Sequence, residues 1–463
     1  MKREPARKPD GGEGGAGAKY IRGKPPGAKT LGPGDCRGMH FGRKTAGISA
    51  RKTFIAKLIR ETGKIGVGAG GKRYRSAYSE FENEAFSKFK KLMEDIGLHT
   101  EVDIAGNLYG IRSGKGNGIV LTGSHLDGVR DGGLYDGVAG VACSLEAVRA
   151  ISSRGLKTNS DLMVVAWRAE ESVRFGIPYI GSKAAFGKLK KEDLKRTDGG
   201  GKTLLEAMRR EGGLKYSERS AGALLLLDPQ DISAYVELHV EQGRKLADRG
   251  FPIGAVNSIA GNHRFSIVFR GQPDHTGGCR MEDRRDAMRH AIELGNFIYS
   301  LPGNYRQGDL FHMTATVLDV PNLDKNNTTV PHLVRMDVEI RCNRMVELHA
   351  AFGAVRGMVE AGGFAIENHR NSEPIELDNM PKNEYAREKV LRACDALGVD
   401  PLHLPSGAGH DAAVLALSGV PTAMVFVPSE GGYAHHPKEF TKPEHLALGA
   451  EVLAESLMQM DSE

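Results

Sequence analysis

The residues with most to offer chemically stand in Leu121-Thr-Gly-Ser-His125-Leu-Asp127-Gly-Val-Arg-Asp131-Gly-Gly-Leu-Tyr-Asp136-Gly137. One imidazole and three carboxylates share a short loop whose glycines permit tight turns. Three other stretches offer similar groups: Glu170-Glu171, His239 in Tyr235-Val-Glu-Leu-His-Val-Glu241-Gln242-Gly243, and His435 in Gly432-Tyr-Ala-His-His436-Pro437-Lys-Glu439. Imidazole nitrogen with carboxylate oxygen suits zinc, manganese, cobalt or nickel, and the lack of clustered cysteines argues against a structural zinc site. A two-ion centre needs this inventory with one carboxylate bridging, and a spare carboxylate to take a proton from the attacking water. Adjacent glutamates repel, so a buried Glu170–Glu171 pair needs a cation or a shared proton. No G-x-S-x-G elbow or phosphate-binding Gly-rich loop competes.

Each of these groups follows a short apolar run that reads as a buried strand: Gly118–Thr122, Asp161–Trp167, Tyr235–His239 and Thr422–Val427. Strand ends in a parallel sheet converge on one edge, which is where α/β folds gather their chemistry. Helical spacing marks Phe54–Ile59, Phe81–Ile96, Val138–Ala150, Leu204–Glu211, Arg284–Ser300 and Glu444–Met460. Thr100–Ile111 suggests two short strands around Gly106-Asn107, and Ile253–Phe269, Met313–Leu318 and Val334–Arg341 carry strand patterns in a β-rich insert. The fold class expected is therefore α/β: a mostly parallel-sheet catalytic domain with helices on both faces, interrupted by a smaller α+β domain. The expected divisions are a tail at 1–48, a first catalytic segment at 49–256, the insert at 257–372 and a second catalytic segment at 373–463.

A chain of 463 residues with 40% hydrophobic and 26% charged content is globular in composition and long enough for two domains. The net charge of +5 belongs to the tail: residues 1–45 hold 11 Lys/Arg and 4 Asp/Glu, so the rest of the chain carries −2. Its Gly/Pro-rich composition cannot offset ordering entropy, and a disordered basic extension is expected, with nucleic acid not expected as a partner. No apolar run is long enough to span a bilayer, so no membrane role is expected. Five scattered cysteines without a C-x-x-C pair argue for reduced thiols in a cytoplasm.

The motifs Gly-Ser-His125-Leu-Asp127, Glu170-Glu171-x-x-Arg174-Phe175, Glu237-Leu-His239-x-Glu241-Gln242-Gly243 and Ser406-Gly407-Ala-Gly-His410-Asp411-Ala together resemble the M20 peptidase superfamily. Within it the likeness is to the hydantoinase/carbamoylase branch: N-carbamoyl-L-amino acid hydrolases, β-ureidopropionases and allantoate amidohydrolases. It covers about residues 50–460. The resemblance implies two divalent ions (zinc, manganese, cobalt or nickel), His125 and His239 on one, Glu171 and His435 on the other, and Asp136 bridging. It implies Asp127 as the carboxylate that orients His125 and Glu170 as general base. It makes the insert a lid and homodimerisation domain, whose His275 steadies the oxyanion from the partner subunit. For a small carboxylate substrate it implies Arg341 as the guanidinium fork, with Gln242, Thr328, Asn327 and Gly407 lining the pocket.

Some positions depart from the family pattern. Gly128 stands where Thr is usual, Ser172-Val173 replace a Gly-small pair, and Asn262 sits where Gln is common. After His275 the chain reads Thr-Gly-Gly-Cys-Arg-Met281, and Thr328 occupies the usual Asn position, with Asn326 and Asn327 just upstream. The metal-binding wording is intact while the substrate-binding wording is altered. The leading expectation is cleavage of the carbamoyl C–N bond of an N-carbamoyl-L-amino acid to amino acid, carbon dioxide and ammonia. The rivals are allantoate hydrolysis, M20-type peptide or acyl-amide cleavage, a binding protein without turnover, and a nucleic-acid role for the tail.

Overall fold

The computed structural model describes residues 48–116, 118–221, 227–304, 311–320, 328–378 and 380–461. The expected tail, apart from its last residue, and Asn327 lie outside the described residues.

Among the described residues thirteen strands form: β1 (His99–Val102), β2 (Leu108–Arg112), β3 (Ile119–His125), β4 (Asp161–Trp167), β5 (Ile232–Val240), β6 (Gly254–Ile259) and β7 (Gly261–Arg270). They continue with β8 (Phe311–Asp319), β9 (Leu333–Cys342), β10 (Ile366–Ser372), β11 (Ile375–Glu376), β12 (Leu402–Ser406) and β13 (Thr422–Val427). The large sheet runs β1-β2-β4-β3-β5-β13-β6-β11, with β12 also on β6. Its centre, β4-β3-β5-β13, is parallel throughout. Strands β2 and β6 join this block antiparallel at either side. Period-two alternation sends Val120, Val164, Val236 and Val425 to one apolar layer and Leu121, Val165, Tyr235 and Met424 to the other. Helices Lys52–Thr62, Glu80–Asp95, Val138–Ser153, Pro381–Ala396 and Pro443–Asp461 cover the first face. Shorter helices such as Asp411–Leu417 cover the second. The parallel centre aims the ends of four strands at one edge.

The small sheet, β10-β7-β9-β8, is antiparallel. Helices Ala287–Ser300 and Met345–Ala361 bury one of its faces, while Asn262, Arg264, Glu339 and Arg341 belong to the other. The chain passes between sheets at Gly261, where a Cβ would stand 2.4 Å from the Pro374 nitrogen and 2.5 Å from the Ser372 carbonyl oxygen. Only glycine permits that approach.

The elements differ in places from those expected. The strand expected at Gly118–Thr122 continues to His125 because Gly123 lets it pass Val165, whose carbonyl oxygen would sit 1.9 Å from any Cβ there. Helix Ala287–Ser300 starts three residues late, capped by the Asp286 side chain on the Met288 amide. Leu204–Glu211 is one α-turn followed by a π-helical turn. Helix Met345–Ala361 and strands β10 and β12 were not foreseen. Among the described residues, no helix is long and apolar enough to cross a membrane.

Candidate metal and catalytic site

His125 is the last residue of β3, and the loop after it folds back over its ring. Gly137 makes that possible: its φ is 64°, and a Cβ there would stand 2.5 Å from the imidazole. The buried Asp127 accepts the amides of Glu170 and Glu171, each at 3.0 Å, one on each oxygen. Its Oδ1 also lies 3.3 Å from His125 Nδ1. One carboxylate thus ties the β3 loop to the β4 loop and lies against the imidazole. At the end of β4, Ala169 is held in the left-handed region (φ 54°), a conformation that costs a non-glycine residue on the order of 1 kcal/mol. Glu82 supports it by accepting the Ala169 amide at 3.0 Å and pairing with Arg168 at 3.3 Å. That turn delivers Glu170 and Glu171 to the strand edge.

Asp136 stands at the centre of the cluster. Its Oδ1 is 3.5 Å from His125 Nε2 and 3.2 Å from His239 Nε2, and its Oδ2 is 3.1 Å from His435 Nε2. Glu171 Oε1 lies 3.3 Å from the same His435 nitrogen. His239 Nδ1 donates to the Val240 carbonyl at 2.9 Å, which leaves the Nε2 lone pair aimed at the cluster. Two ligand sets emerge, His125–Asp136–His239 and Asp136–Glu171–His435, sharing Asp136. Glu171 Oε1 is buried without a hydrogen-bond partner, as a cation ligand would be. The donor set, imidazole nitrogen with carboxylate oxygen, fits two divalent ions of the zinc or manganese kind.

The charges follow from this crowding. Burial would raise the Asp136 carboxyl, but His125, His239 and His435 outweigh it and hold it well below the usual range. Asp136 and Glu171 push His435 up to about 11. Burial, then the neighbouring carboxylates Glu171, Asp411 and Asp127, lift Glu170 well above an ordinary glutamate. Glu170 belongs to neither ligand set, though its Oε2 is 3.8 Å from His125 Nε2. His410 packs edge-on against His239 at 4.6 Å, and Ser406 Oγ meets its Nε2 at 2.8 Å. Burial holds His410 well below its ordinary value, so it stays neutral and supports a ligand ring.

Gln242, expected in the substrate pocket, donates to Asp136 Oδ2 at 2.9 Å. Its backbone is left-handed (φ 56°), with the amide on Ser429 Oγ at 3.1 Å. Arg341 comes from β9 to meet Gly407 at the end of β12, donating to its carbonyl at 2.8 Å. His275 is not brought to the cluster: it is exposed, joined across a bridge to Thr329, with the Thr276 amide on the Thr328 carbonyl at 2.9 Å. Its Nδ1 accepts the amides of Gly277 and Gly278 at 3.1 and 3.0 Å, so in the neutral ring the proton sits on Nε2.

Sequence reasoning missed Glu439. It is 4% exposed, and one of its oxygens accepts the amides of Tyr135 at 2.8 Å and Asp136 at 3.1 Å. Burial, then the Asp136 charge, lifts it to about 7. It clamps the peptide that carries the shared carboxylate, and a Cβ at Gly133 would overlap it. The signal was an acid four residues after His435 in a stretch without helical spacing.

Comparison with known proteins matches residues 121–459 to Peptidase family M20/M25/M40. N-carbamoyl-L-amino acid amidohydrolase of Geobacillus stearothermophilus is 33% identical over 87% of this chain and 97% of its own. Allantoate amidohydrolase of Escherichia coli K12 is 31% identical over 88% of this chain and 98% of its own. The crystal structure of an amidase of the hydantoinase/carbamoylase family from Burkholderia multivorans superposes with a TM-score of 0.77. That protein is 28% identical, and the match covers 90% of this chain and 99% of the other. The chain belongs to peptidase family M20/M25/M40. Within that family its place is with the hydantoinase/carbamoylase amidases, hydrolases of carbon–nitrogen bonds other than peptide bonds.

Proposed function

We propose that this protein is a dinuclear-metal amidohydrolase that splits the carbamoyl C–N bond of an N-carbamoyl-L-amino acid. Water enters, and free amino acid, carbon dioxide and ammonia leave. The observation that carries the reading is the sharing of Asp136 between two ligand sets, with Glu170 beside them and in neither. His125, Asp136 and His239 would hold one ion, and Asp136, Glu171 and His435 the other. When bound, such ions supply Lewis acidity and ease deprotonation of water near neutral pH.

The remaining work falls to the chain. Glu170 takes the proton of the attacking water and passes it to the leaving nitrogen, and its raised affinity for protons suits both halves of that transfer. Asp127 fixes the ring of His125, and Gln242 and Glu439 fix Asp136. Arg341 holds the substrate carboxylate, with Gly407 and Thr328 beside it. In this reading residues 257–372 are a lid and dimerisation domain between catalytic segments 49–256 and 373–463. A second copy then brings the Nε2–H of its His275 to the oxyanion. The free, buried thiols of Cys143 and Cys394 suit a cytoplasmic protein.

Likeness to allantoate amidohydrolases at a similar identity supports allantoate as the second reading. Zinc- or manganese-loaded protein should be tested for ammonia release from N-carbamoyl-L-amino acids, N-carbamoyl-β-alanine, allantoate and acyl-amino acids, with amino acid release followed in parallel. Turnover of a carbamoyl amino acid, abolished by chelator, is the expected result. Turnover of allantoate alone, or of acyl amides alone, would overturn it.

A further inference from the structure

The polar face of the small sheet carries more cations than its anions can pair. Registers align Arg370 of β10 with Arg264 of β7, and Arg264 with Glu339 of β9. Arg341 lies two residues beyond Glu339 on the same face. One oxygen, Glu339 Oε1, accepts from Nε of Arg264 at 2.7 Å and from Nε of Arg341 at 2.8 Å. The two nitrogens are therefore no more than about 5.5 Å apart. Burial would raise the Glu339 carboxyl, but the two guanidiniums hold it below its ordinary value, so the trio keeps one excess positive charge. Arg370 adds another, with Arg264 and Arg196 both within its electrostatic reach.

Arg341 spends a second donor on the Gly407 carbonyl, and Arg370 spends one on the Gly176 carbonyl at 2.8 Å. Arg264 spends only its Nε. Its terminal amino groups have no partner among the described residues. This face and the candidate base share a neighbour. The Tyr179 phenol lies within electrostatic reach of Glu170 and Asp411 and equally of Arg341 and Arg264. An exposed ion pair alone is worth little, and packing three like charges costs stability without an anionic ligand to offset it. A planar fork with two free donors suits a carboxylate.

We propose that Arg264 is a specificity-determining residue that takes a second carboxylate, so that the preferred substrate is the N-carbamoyl derivative of a dicarboxylic amino acid. Arg341 and Arg264 then grip the two ends of one short chain, whose carboxylates lie a few ångströms apart. The inference rests on the reaction proposed above and deepens it.

The test compares kcat/KM on N-carbamoyl-L-aspartate and N-carbamoyl-L-glutamate with their neutral isosteres, N-carbamoyl-L-asparagine and N-carbamoyl-L-glutamine. The metal-loaded wild type should favour the acids by about tenfold or more. Arg264→Gln should lower the acids by about tenfold or more, chiefly through KM, and leave the amides within about threefold. Arg264→Lys should recover part of the loss, since a point charge replaces half of what the fork supplies. Calorimetric titration of the products, aspartate and glutamate against asparagine and glutamine, gives a readout independent of turnover. Acids should bind the wild type more tightly than amides, and Arg264→Gln should erase the difference. No preference for acid over amide, or an equal loss on both classes in Arg264→Gln, would overturn the inference. If no carbamoyl compound is turned over, the reaction reading fails, and the titration still decides the second-carboxylate site.

Discussion

One group of three histidines lies beside each sheet, and the two groups behave as opposites. His125, His239 and His435 surround a carboxylate, and His435 is pushed up to about 11. In the small sheet, His263 of β7 bonds His369 of β10 at 2.7 Å and His349 of helix Met345–Ala361 at 3.2 Å. Phe352 stacks on His263 at 4.2 Å and on His369 at 4.4 Å. Among the described residues no carboxylate pairs with any of these three, and burial, with the neighbouring imidazoles, pushes His263 down to about 4. Imidazoles alone make a hydrogen-bonded row. Carboxylates turn the same side chains into a place for positive charge, which protons fill until a divalent ion displaces them.

Removing the carboxylate should erase the contrast most completely. Asp136→Ala is expected to bind no metal in either set and to lose activity below detection, with His435 returning toward an ordinary value. Metal analysis and NMR titration of the imidazoles check both. Glu170→Gln leaves the ligands alone and removes the spare acid. Metal content and melting should stay unchanged while kcat falls by about 10²–10⁴-fold; near-normal turnover would overturn the base assignment. Arg341→Lys keeps the charge and loses the fork, so KM for carboxylate substrates should rise by about tenfold with a smaller change in kcat.

The smallest effect belongs to the small-sheet row. His263→Phe should leave metal and turnover unchanged and alter only acid stability. A histidine whose folded pKa of about 4 lies below the ordinary 6.5 stabilises the fold fully above pH 6.5. That stabilisation is lost as pH falls through about 4, so the variant should lose less stability between those values. Denaturation across that range measures it, with an expected difference on the order of 1 kcal/mol.

The gathering of these imidazoles and carboxylates at one sheet edge was legible in the sequence because each follows a recognisable apolar strand. His125, Glu170, Glu171 and His239 each end a buried strand, and four parallel strands must bring their ends together. Helix Met345–Ala361 was hidden because glycines and β-branched residues interrupt its helical pattern, and packing on the small sheet supplies what propensity does not. Arg264 looked like any polar residue of an alternating strand until β9 was set beside it. The hydrogen bond of Gln242 to Asp136 was not legible, because spacing carries no information on which oxygen a left-handed residue will face. The role proposed for His275 would depend on a second chain, which no reading of one sequence positions.

The clamp of Glu439 on Asp136 joins residues 303 apart in the chain. On a ribosome adding about 5–20 residues per second, the loop bearing Asp136 is made some tens of seconds before its clamp and before His435. A nascent chain that has passed Val240 would therefore carry all three residues of one set, without the clamp, and two of the three residues of the other. Hydrolytic competence arrives late in synthesis, when the last turns of the catalytic unit fold over the rest.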